Sequence, residues 1–193
     1  MRDKTAFYIE FISGRLSEKR FVHSVKTAEM CRELALKHGY NDPEKAYITG
    51  ILHDVCKEAQ ADEIKKLISS KLLKKPEFAL DPLEKEEPKL WHAPAGAVYI
   101  REILGIDDDE MFSAIRFHTV ARAKMTKLEK IIYLGDLVAF GREYPEVQKY
   151  RDFALADLNT GMLHALVWAL AEDLERKKQI SLNTHEAYNY YLY

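Results

Sequence analysis

Apolar residues recur at helical spacing along nearly the whole chain, and this periodicity limits the possible folds more than any other feature. It is clear after Ser17, at Phe21, Val25, Ala28 and Ala35. These four residues are separated by four, three and seven positions, so they share one face of a helix. Only 8 of the 193 residues are glycine and alternating valine-rich runs are absent, so a β-sheet has little to build on. The sequence predicts an all-α fold, a single-domain helical bundle.

Capping residues, glycines and prolines divide this pattern into separate helices. We predict helices at about 4–13, 18–38, 43–57, 62–73, 92–104, 108–118, 127–140 and 160–178, the last capped by Asn159. A short segment follows Pro145, and Thr184 caps a final turn or two. Residues 74–90 hold three prolines and dense charge, so we predict a loop or lid there.

Charge and cysteine content exclude several classes of protein. With 29 basic and 31 acidic residues the net charge is −2, which disfavours a protein that coats nucleic acid. Cys31 and Cys56 form neither a CxxC zinc motif nor a disulfide framework. The first residues carry charge where a signal peptide is apolar, and the longest uncharged stretch, 158–171, is shorter than a membrane span. We expect a cytoplasmic protein that binds no membrane and no nucleic-acid polymer.

The dipeptide His53-Asp54 carries the first chemical signal, because it interrupts the apolar run 50–55. Aspartate is rarely buried unless it is paired or bound to a cation. Adjacent helical side chains point about 100° apart, so the two residues can converge on one metal or on two metals side by side. A buried ion pair or a capped helix end explains the dipeptide alone equally well.

Four further residues change that balance through their order along the chain. Taken alone, His23 is more often a hydrogen-bonded core or surface histidine than a ligand, and Asp136 could cap a neighbouring helix. Together, the candidates follow the order H…HD…H…H…D, at His23, His53, Asp54, His92, His118 and Asp136. Four imidazoles and two carboxylates disfavour calcium and magnesium, which prefer oxygen ligands, and a single structural zinc, which takes four ligands.

This ordered set resembles the HD-domain metal-dependent phosphohydrolases, specifically the YqeK-type bacterial subgroup. The matching motifs are Arg20-Phe21-Val22-His23-Ser24, Gly50-Ile51-Leu52-His53-Asp54-Val55-Cys56-Lys57, Trp91-His92-Ala93-Pro94-Ala95-Gly96, Phe117-His118-Thr119 and Lys130-Ile131-Ile132-Tyr133-Leu134-Gly135-Asp136. The resemblance extends from about Ser17 to Tyr190. It implies one HD domain over 1–193, with a metal-site core at about 17–140 and C-terminal helices at 145–193 packed on it.

The resemblance also implies a metal centre and a reaction. The expected metal ligands are His23, His53, Asp54, His92, His118 and Asp136. Asp54 would bridge two metals, of which one is completed by His23, His53 and Asp136 and the other by His92 and His118. Iron is the expected metal, in a dinuclear or mononuclear site, with manganese, zinc or nickel as substitutes. A metal-bridging hydroxide would cut diadenosine tetraphosphate into two ADP, with Asp54, Lys57 and His92 as catalytic residues.

Residues near the ligands are candidates for binding a nucleotide substrate or a diphosphate product such as ADP or GDP. Lys57 lies four residues after His53, and Arg20 lies three before His23, although a solvated surface charge is the ordinary role of either residue type. Further candidates for phosphate contact are Ser24, Thr119, Arg122 and Arg142. Trp91, Phe140 and Tyr144 are candidates for stacking on a purine.

The chain departs from the family pattern at 119–122 and at 135–142, although Arg142 falls where the family has an arginine. The altered 135–142 stretch motivates an alternative, an HD-type phosphohydrolase of mononucleotides. A second alternative, a non-catalytic nucleotide-binding regulator, is disfavoured because all six ligand positions are filled. The tyrosine-rich C-terminus leaves a homodimer open.

Overall fold

The structure, a computed structural model, describes residues 4–193, and these residues form eleven α-helices. The helices are α1 (Lys4–Ser13), α2 (Glu18–Lys37), α3 (Pro43–Leu52), α4 (Ala61–Ile68), α5 (Pro82–Glu86), α6 (His92–Glu102), α7 (Asp109–Phe117), α8 (Lys127–Leu137), α9 (Val147–Ala156), α10 (Leu158–Glu175) and α11 (Leu182–Leu192). Within 4–193 there is no β-strand, so the all-α prediction is confirmed. Residues 1–3, which belong to the predicted domain and to the charged start, lie outside the described residues.

Helix α2 is central, because α3 and α8 both pack along it. Two glycines allow the helices to come this close. A Cβ atom on Gly50 of α3 would lie 2.7 Å from Cα of Ala28, and one on Gly135 of α8 would overlap Sγ of Cys31. Larger residues at these positions would force the helices apart. The close approach places the carboxyl-terminal ends of α3 and α8 beside α2, where the candidate ligands lie.

One continuous apolar core joins the first helix to the last. It includes Ile12 of α1 and Ala187 of α11, both fully buried. Helix α7 packs between α6 and α8, and α10 packs on α8, α9 and α11. This continuity is that of a single domain. Each helix within the described residues is too short or too polar to span a lipid bilayer.

Helix α3 ends five residues earlier than the sequence predicts. It stops at Leu52, and the following residues form tight turns, in which Val55 N–H donates to the carbonyl of Leu52 (3.0 Å) and Lys57 N–H to that of Asp54 (2.8 Å). The imidazole of His53 also bonds the helix carbonyl of Gly50. The prediction of a helix through Lys57 is therefore wrong, and Lys57 does not lie one helical turn beyond His53.

Two predicted caps also lie a few residues from the true helix starts. Asp157, not Asn159, caps α10, because its carboxylate accepts the backbone N–H of Thr160 at 2.8 Å. Ser181, not Thr184, caps α11. Both pairs of residues are good capping types, so the local sequence does not distinguish between them. Helix α4 ends at Ile68 rather than near 73.

Residues 74–90 are more ordered than the predicted loop. Each proline opens a helical turn: 3₁₀ turns at Pro76–Phe78 and Pro88–Leu90, and α5 between them. Glu84 and Arg116 are both fully buried and form an ion pair (2.6 Å) that ties this segment to α7. Arg116 also donates to the carbonyls of Phe78 and Ala79. A role as a lid stays a prediction.

Candidate metal centre

Five elements bring the six predicted ligands to one place. His23 lies on α2, and His53 and Asp54 follow directly after α3. His92 is the first residue of α6, and His118 comes directly after the last residue of α7. Asp136 lies in the last turn of α8. Residues more than 100 positions apart in sequence therefore meet where the ends of α3, α7 and α8 converge on α2.

The carboxylate of Asp54 lies at the middle of this cluster. Its Oδ1 atom is 3.4 Å from Nε2 of His92 and 3.6 Å from Nε2 of His118. Its Oδ2 atom is 3.6 Å from Nε2 of His53. Two groups of residues able to hold a metal therefore share Asp54. One group is His23, His53 and Asp54, and the other is Asp54, His92 and His118. Within each group the ligand atoms lie within 4.8 Å of one another.

Asp136 lies beside the first of these two groups. Its Oδ1 atom is 2.9 Å from Nε2 of His23 and 3.8 Å from Nε2 of His53. The guanidinium of Arg142 donates to the same oxygen at 2.6 Å. The carboxylate is thus placed to serve the His23–His53 side, with Arg142 fixing its orientation.

Three of the histidines are held in one tautomer by the backbone. Nδ1 of His53, His92 and His118 lies 2.6, 2.9 and 2.8 Å from the carbonyl oxygen three residues earlier in each case. A carbonyl oxygen only accepts, so Nδ1 carries the hydrogen and Nε2 keeps its lone pair. The lone pairs of all three rings face Asp54, which is the arrangement that metal-ligating histidines require.

The donor set fits a transition-metal cation. Among residues 4–193, Nε2 of His53 is buried and finds no hydrogen-bond partner. A buried acceptor without a partner is costly, and a bound cation would satisfy it. Imidazole nitrogen combined with carboxylate oxygen suits iron, manganese, zinc or nickel better than calcium or magnesium. The cluster can therefore bind metal.

Electrostatics keep Asp54 and His92 in the protonation states that metal binding needs. Burial opposes ionisation of Asp54, but His53, His118 and His92 outweigh it and hold its pKa well below the ordinary value. Burial, together with the charge of Lys57, lowers the pKa of His92 to about 3. The carboxylate is therefore ionised and the imidazole neutral at neutral pH, without competition from protons.

A cavity of about 390 Å³ opens over the cluster and is lined by four of the six predicted substrate contacts. These are Arg20, Lys57, Thr119 and Arg142. The ammonium of Lys57 is 3.0 Å from Nε2 of His92, and the guanidinium of Arg20 is 3.4 Å from Oδ2 of Asp54. The three cations make this cavity suited to a polyanion.

Ser24 and Arg122 do not line this cavity, and their contact with substrate stays a prediction. Ser24 is fully buried on α2. Helix α7 ends before Arg122, and Ala121 adopts a left-handed conformation (φ +58°) that turns the chain away. Nε of Arg122 donates to Glu129 at 2.7 Å, and its guanidinium lies over the ring of Phe117. Its charge is already paired there.

An aromatic wall completes the cavity and includes a residue that the sequence analysis missed. Tyr144 and Trp168 stack with ring centroids 5.1 Å apart and planes 25° apart, and both line the cavity. Trp91 instead donates its Nε1–H to the carbonyl of Glu84, and Phe140 lies beneath Arg151. Neither lines the cavity. Nothing local marks Trp168, because only the packing of α10 on α8 brings it here.

The helical fold and the His–Asp cluster, which could hold a metal ion, together indicate a known class of protein. The family model described as HD domain matches residues 20–141, and the chain belongs to this family. Relatives named symmetrical bis(5′-nucleosyl)-tetraphosphatase include one from Halalkalibacterium halodurans, 36% identical over 94% of this chain and 93% of the relative. Another, from Bacillus subtilis, is 33% identical over 93% of this chain and 92% of the relative.

A solved structure shares the whole fold. It is described as a predicted HD superfamily hydrolase involved in NAD metabolism from Clostridium acetobutylicum. The two structures superpose with a TM-score of 0.87 at 30% sequence identity, covering 97% of this chain and 96% of that chain. The family assignment therefore holds for the complete helical bundle as well as for the motif-bearing part.

Acid is expected to destabilise the metal-free protein through His92. The pKa of this residue is about 3 in the folded protein and about 6.5 in an unfolded chain. Between these two pH values the unfolded chain binds more protons at His92 than the folded protein does. The free energy of unfolding therefore decreases as the pH falls, by at most about 1.4 kcal/mol per pH unit. Urea unfolding across this range measures the slope.

The variant His92→Gln should show a flatter dependence on pH, because one of the groups whose pKa differs between the folded and unfolded states is gone. His185→Gln is the matched control, since His185 is exposed. An unchanged slope in His92→Gln would contradict the assignment of this acid sensitivity to the lowered pKa of His92.

Proposed function

We propose that this chain is a metal-dependent phosphohydrolase that cleaves dinucleoside tetraphosphates symmetrically. Diadenosine tetraphosphate and water would give two molecules of ADP. The observation that carries the proposal is the position of Asp54, whose two oxygens face two sets of imidazoles in a cavity lined by three cations. The similarity to relatives of that name over nearly the whole chain supports it.

Iron is the proposed metal, with manganese, zinc or nickel as substitutes. His23, His53, Asp54 and Asp136 would hold one cation, and Asp54, His92 and His118 the other. When bound, the metal supplies a Lewis acid that polarises phosphoryl oxygens and lowers the pKa of water. The neutral imidazole of His92 and the ionised carboxylate of Asp54 are the forms that bind such a cation.

The cationic side chains of the cavity have the role of holding the tetraphosphate. Arg20 and Arg142 each already donate to a carboxylate of the cluster, so their guanidinium groups are oriented before substrate arrives. Preorganised charges of this kind stabilise the charge that develops on a transferring phosphoryl group. Oγ1 of Thr119 is buried without a hydrogen-bond partner within residues 4–193, which leaves its hydroxyl free to donate to a phosphate oxygen.

Lys57 is the candidate proton donor to the departing ADP. Burial lowers the pKa of its ammonium, partly offset by Asp54, so the group gives up a proton more readily than an exposed lysine. It lies at the wall of the same cavity, next to His92. A proton on Nζ can therefore pass to the oxygen released when the bond between the second and third phosphates breaks.

Product identification tests the proposal. Protein purified without oxygen is assayed for bound metal, then given diadenosine tetraphosphate, and the nucleotides are separated by chromatography. We expect ADP as the sole nucleotide product. ATP together with AMP would reject symmetrical cleavage, and faster turnover of AMP would favour a mononucleotide phosphohydrolase. Tight ADP binding without turnover would favour a regulator.

A further inference from the structure

A second cavity, of about 460 Å³, adjoins the metal centre. One wall is the segment 83–90, and the opposite wall runs from the end of α10 to the first turn of α11, at 173–184. Thr119, directly after the ligand His118, lines both this cavity and the one over the metal cluster. The two cavities are therefore neighbours along one surface, and an elongated ligand can enter both.

The side chains of the second cavity differ in charge from those over the metals. Its charged residues are Glu86, Glu87, Lys89, Asp173 and Lys178, so carboxylates outnumber ammonium groups by three to two. By contrast, the metal cavity is lined by three cations and two carboxylates, Asp54 and Asp136, and the proposed metal ions would add further positive charge there. The charges therefore favour binding of phosphate groups in the cavity at the metal cluster and disfavour it in the second cavity.

The remaining lining of the second cavity suits an uncharged ring system. Leu83, Leu90 and Val120 supply apolar surface. Gln179 supplies an exposed amide, and the carboxylates can accept hydrogen bonds from exocyclic amino groups. A cleft of this volume that combines apolar surface with polar groups is typical of sites for small organic molecules.

We propose that the second cavity binds one nucleoside of a dinucleoside tetraphosphate, while the other nucleoside lies against Tyr144 and Trp168. This inference rests on the proposed function. Symmetrical cleavage places the scissile bond at the middle of the substrate, so two equal halves extend from the metals in different directions. The cavity beyond Thr119 receives the second half, and the Thr119 hydroxyl donates to the phosphate chain where it passes between the cavities.

Two variants that fill the second cavity test this assignment. Gln179→Trp changes an exposed residue between α10 and α11, and Leu83→Trp changes a half-buried residue that is not part of the hydrophobic core. Each is expected to raise the KM for diadenosine tetraphosphate about tenfold, the loss expected when one nucleoside loses its contacts. Leu182→Trp, at an exposed position outside the cavity lining, is the matched control and should leave the KM unchanged.

A ligand with one nucleoside separates this effect from general damage. Adenosine 5′-tetraphosphate is used as a competitive inhibitor. Its phosphates should bind at the metal cluster and its nucleoside against the aromatic wall, so the second cavity stays empty. Its inhibition constant should therefore be the same in both variants and in the wild type. An unchanged KM for the dinucleotide, or an equal loss of affinity for both ligands, would overturn the proposal. Wild-type protein that releases no ADP would instead refute the proposed function, and this assignment with it.

Discussion

Asp54→Asn is expected to lower kcat/KM for diadenosine tetraphosphate by about a thousandfold or more and to reduce the bound metal. Asp54 is the one residue that both candidate ligand groups share. Asparagine keeps the shape of the side chain but removes the negative charge and offers only one oxygen. Stabilisation of charge by a metal is worth several kcal/mol, and each 1.4 kcal/mol corresponds to about a factor of ten in rate.

Metal analysis and steady-state kinetics of the same preparations measure this effect. Asp62→Asn is the matched control, because Asp62 is an exposed residue in the first turn of α4. It should retain wild-type metal content and activity. Asp54→Asn protein that keeps its full metal content and more than about a tenth of the activity would contradict a bridging role, since loss of a shared ligand has to affect both sides of the centre.

The candidate ligands were predictable because their chemistry is uncommon in apolar helices. Asp54 and Asp136 each interrupt a run of residues suited to burial, and the four histidines fall at fixed places in the order of the family. Glycine scarcity and the spacing of apolar residues predicted the helical class for a similar reason, since both depend only on local sequence. The structure brings all six residues together, as that order predicts.

The end of α3 was not predictable, because nothing in the local sequence stops the helix. The run from Gly50 to Lys57 contains no proline and has apolar residues at helical spacing. The chain leaves the helix where the His53 ring bonds the carbonyl of Gly50 and the backbone tightens into turns. This interruption is part of the metal centre, and local helix propensity is overridden there by tertiary structure.

The substrate-contact residues were only partly predictable, because their directions depend on how helices pack. Arg122 lies four residues after His118, but the left-handed Ala121 separates them, and its charge is paired with Glu129. Trp168 gave no signal, since an aromatic residue in an apolar helix is ordinarily core. Sequence order identifies ligands that meet at one point, but it does not give the orientation of side chains around that point.

Glu84→Gln is expected to destabilise the protein by about 3 kcal/mol, because it leaves Arg116 charged, buried and without a counter-ion. Both side chains are fully buried, and the guanidinium makes two hydrogen bonds to the carboxylate, at 2.6 and 2.8 Å. Glutamine can still accept the backbone N–H of Asp81, so the helix cap is kept and the loss reports the missing charge. Urea unfolding measures it, and Glu77→Gln, at an exposed position, is the control.

Replacing both partners is expected to restore most of the stability that the single change removes. In Glu84→Met with Arg116→Met, no charge stays buried, and apolar side chains of similar length fill the space between α5 and α7. The double variant should also lose the hydrogen bonds from Arg116 to the carbonyls of Phe78 and Ala79 and the cap bond from the Asp81 N–H to Glu84. Its free energy of unfolding should therefore lie between those of Glu84→Gln and the wild type. A double variant less stable than Glu84→Gln would mean that these hydrogen bonds, and not the charge balance, hold residues 78–90 on the bundle.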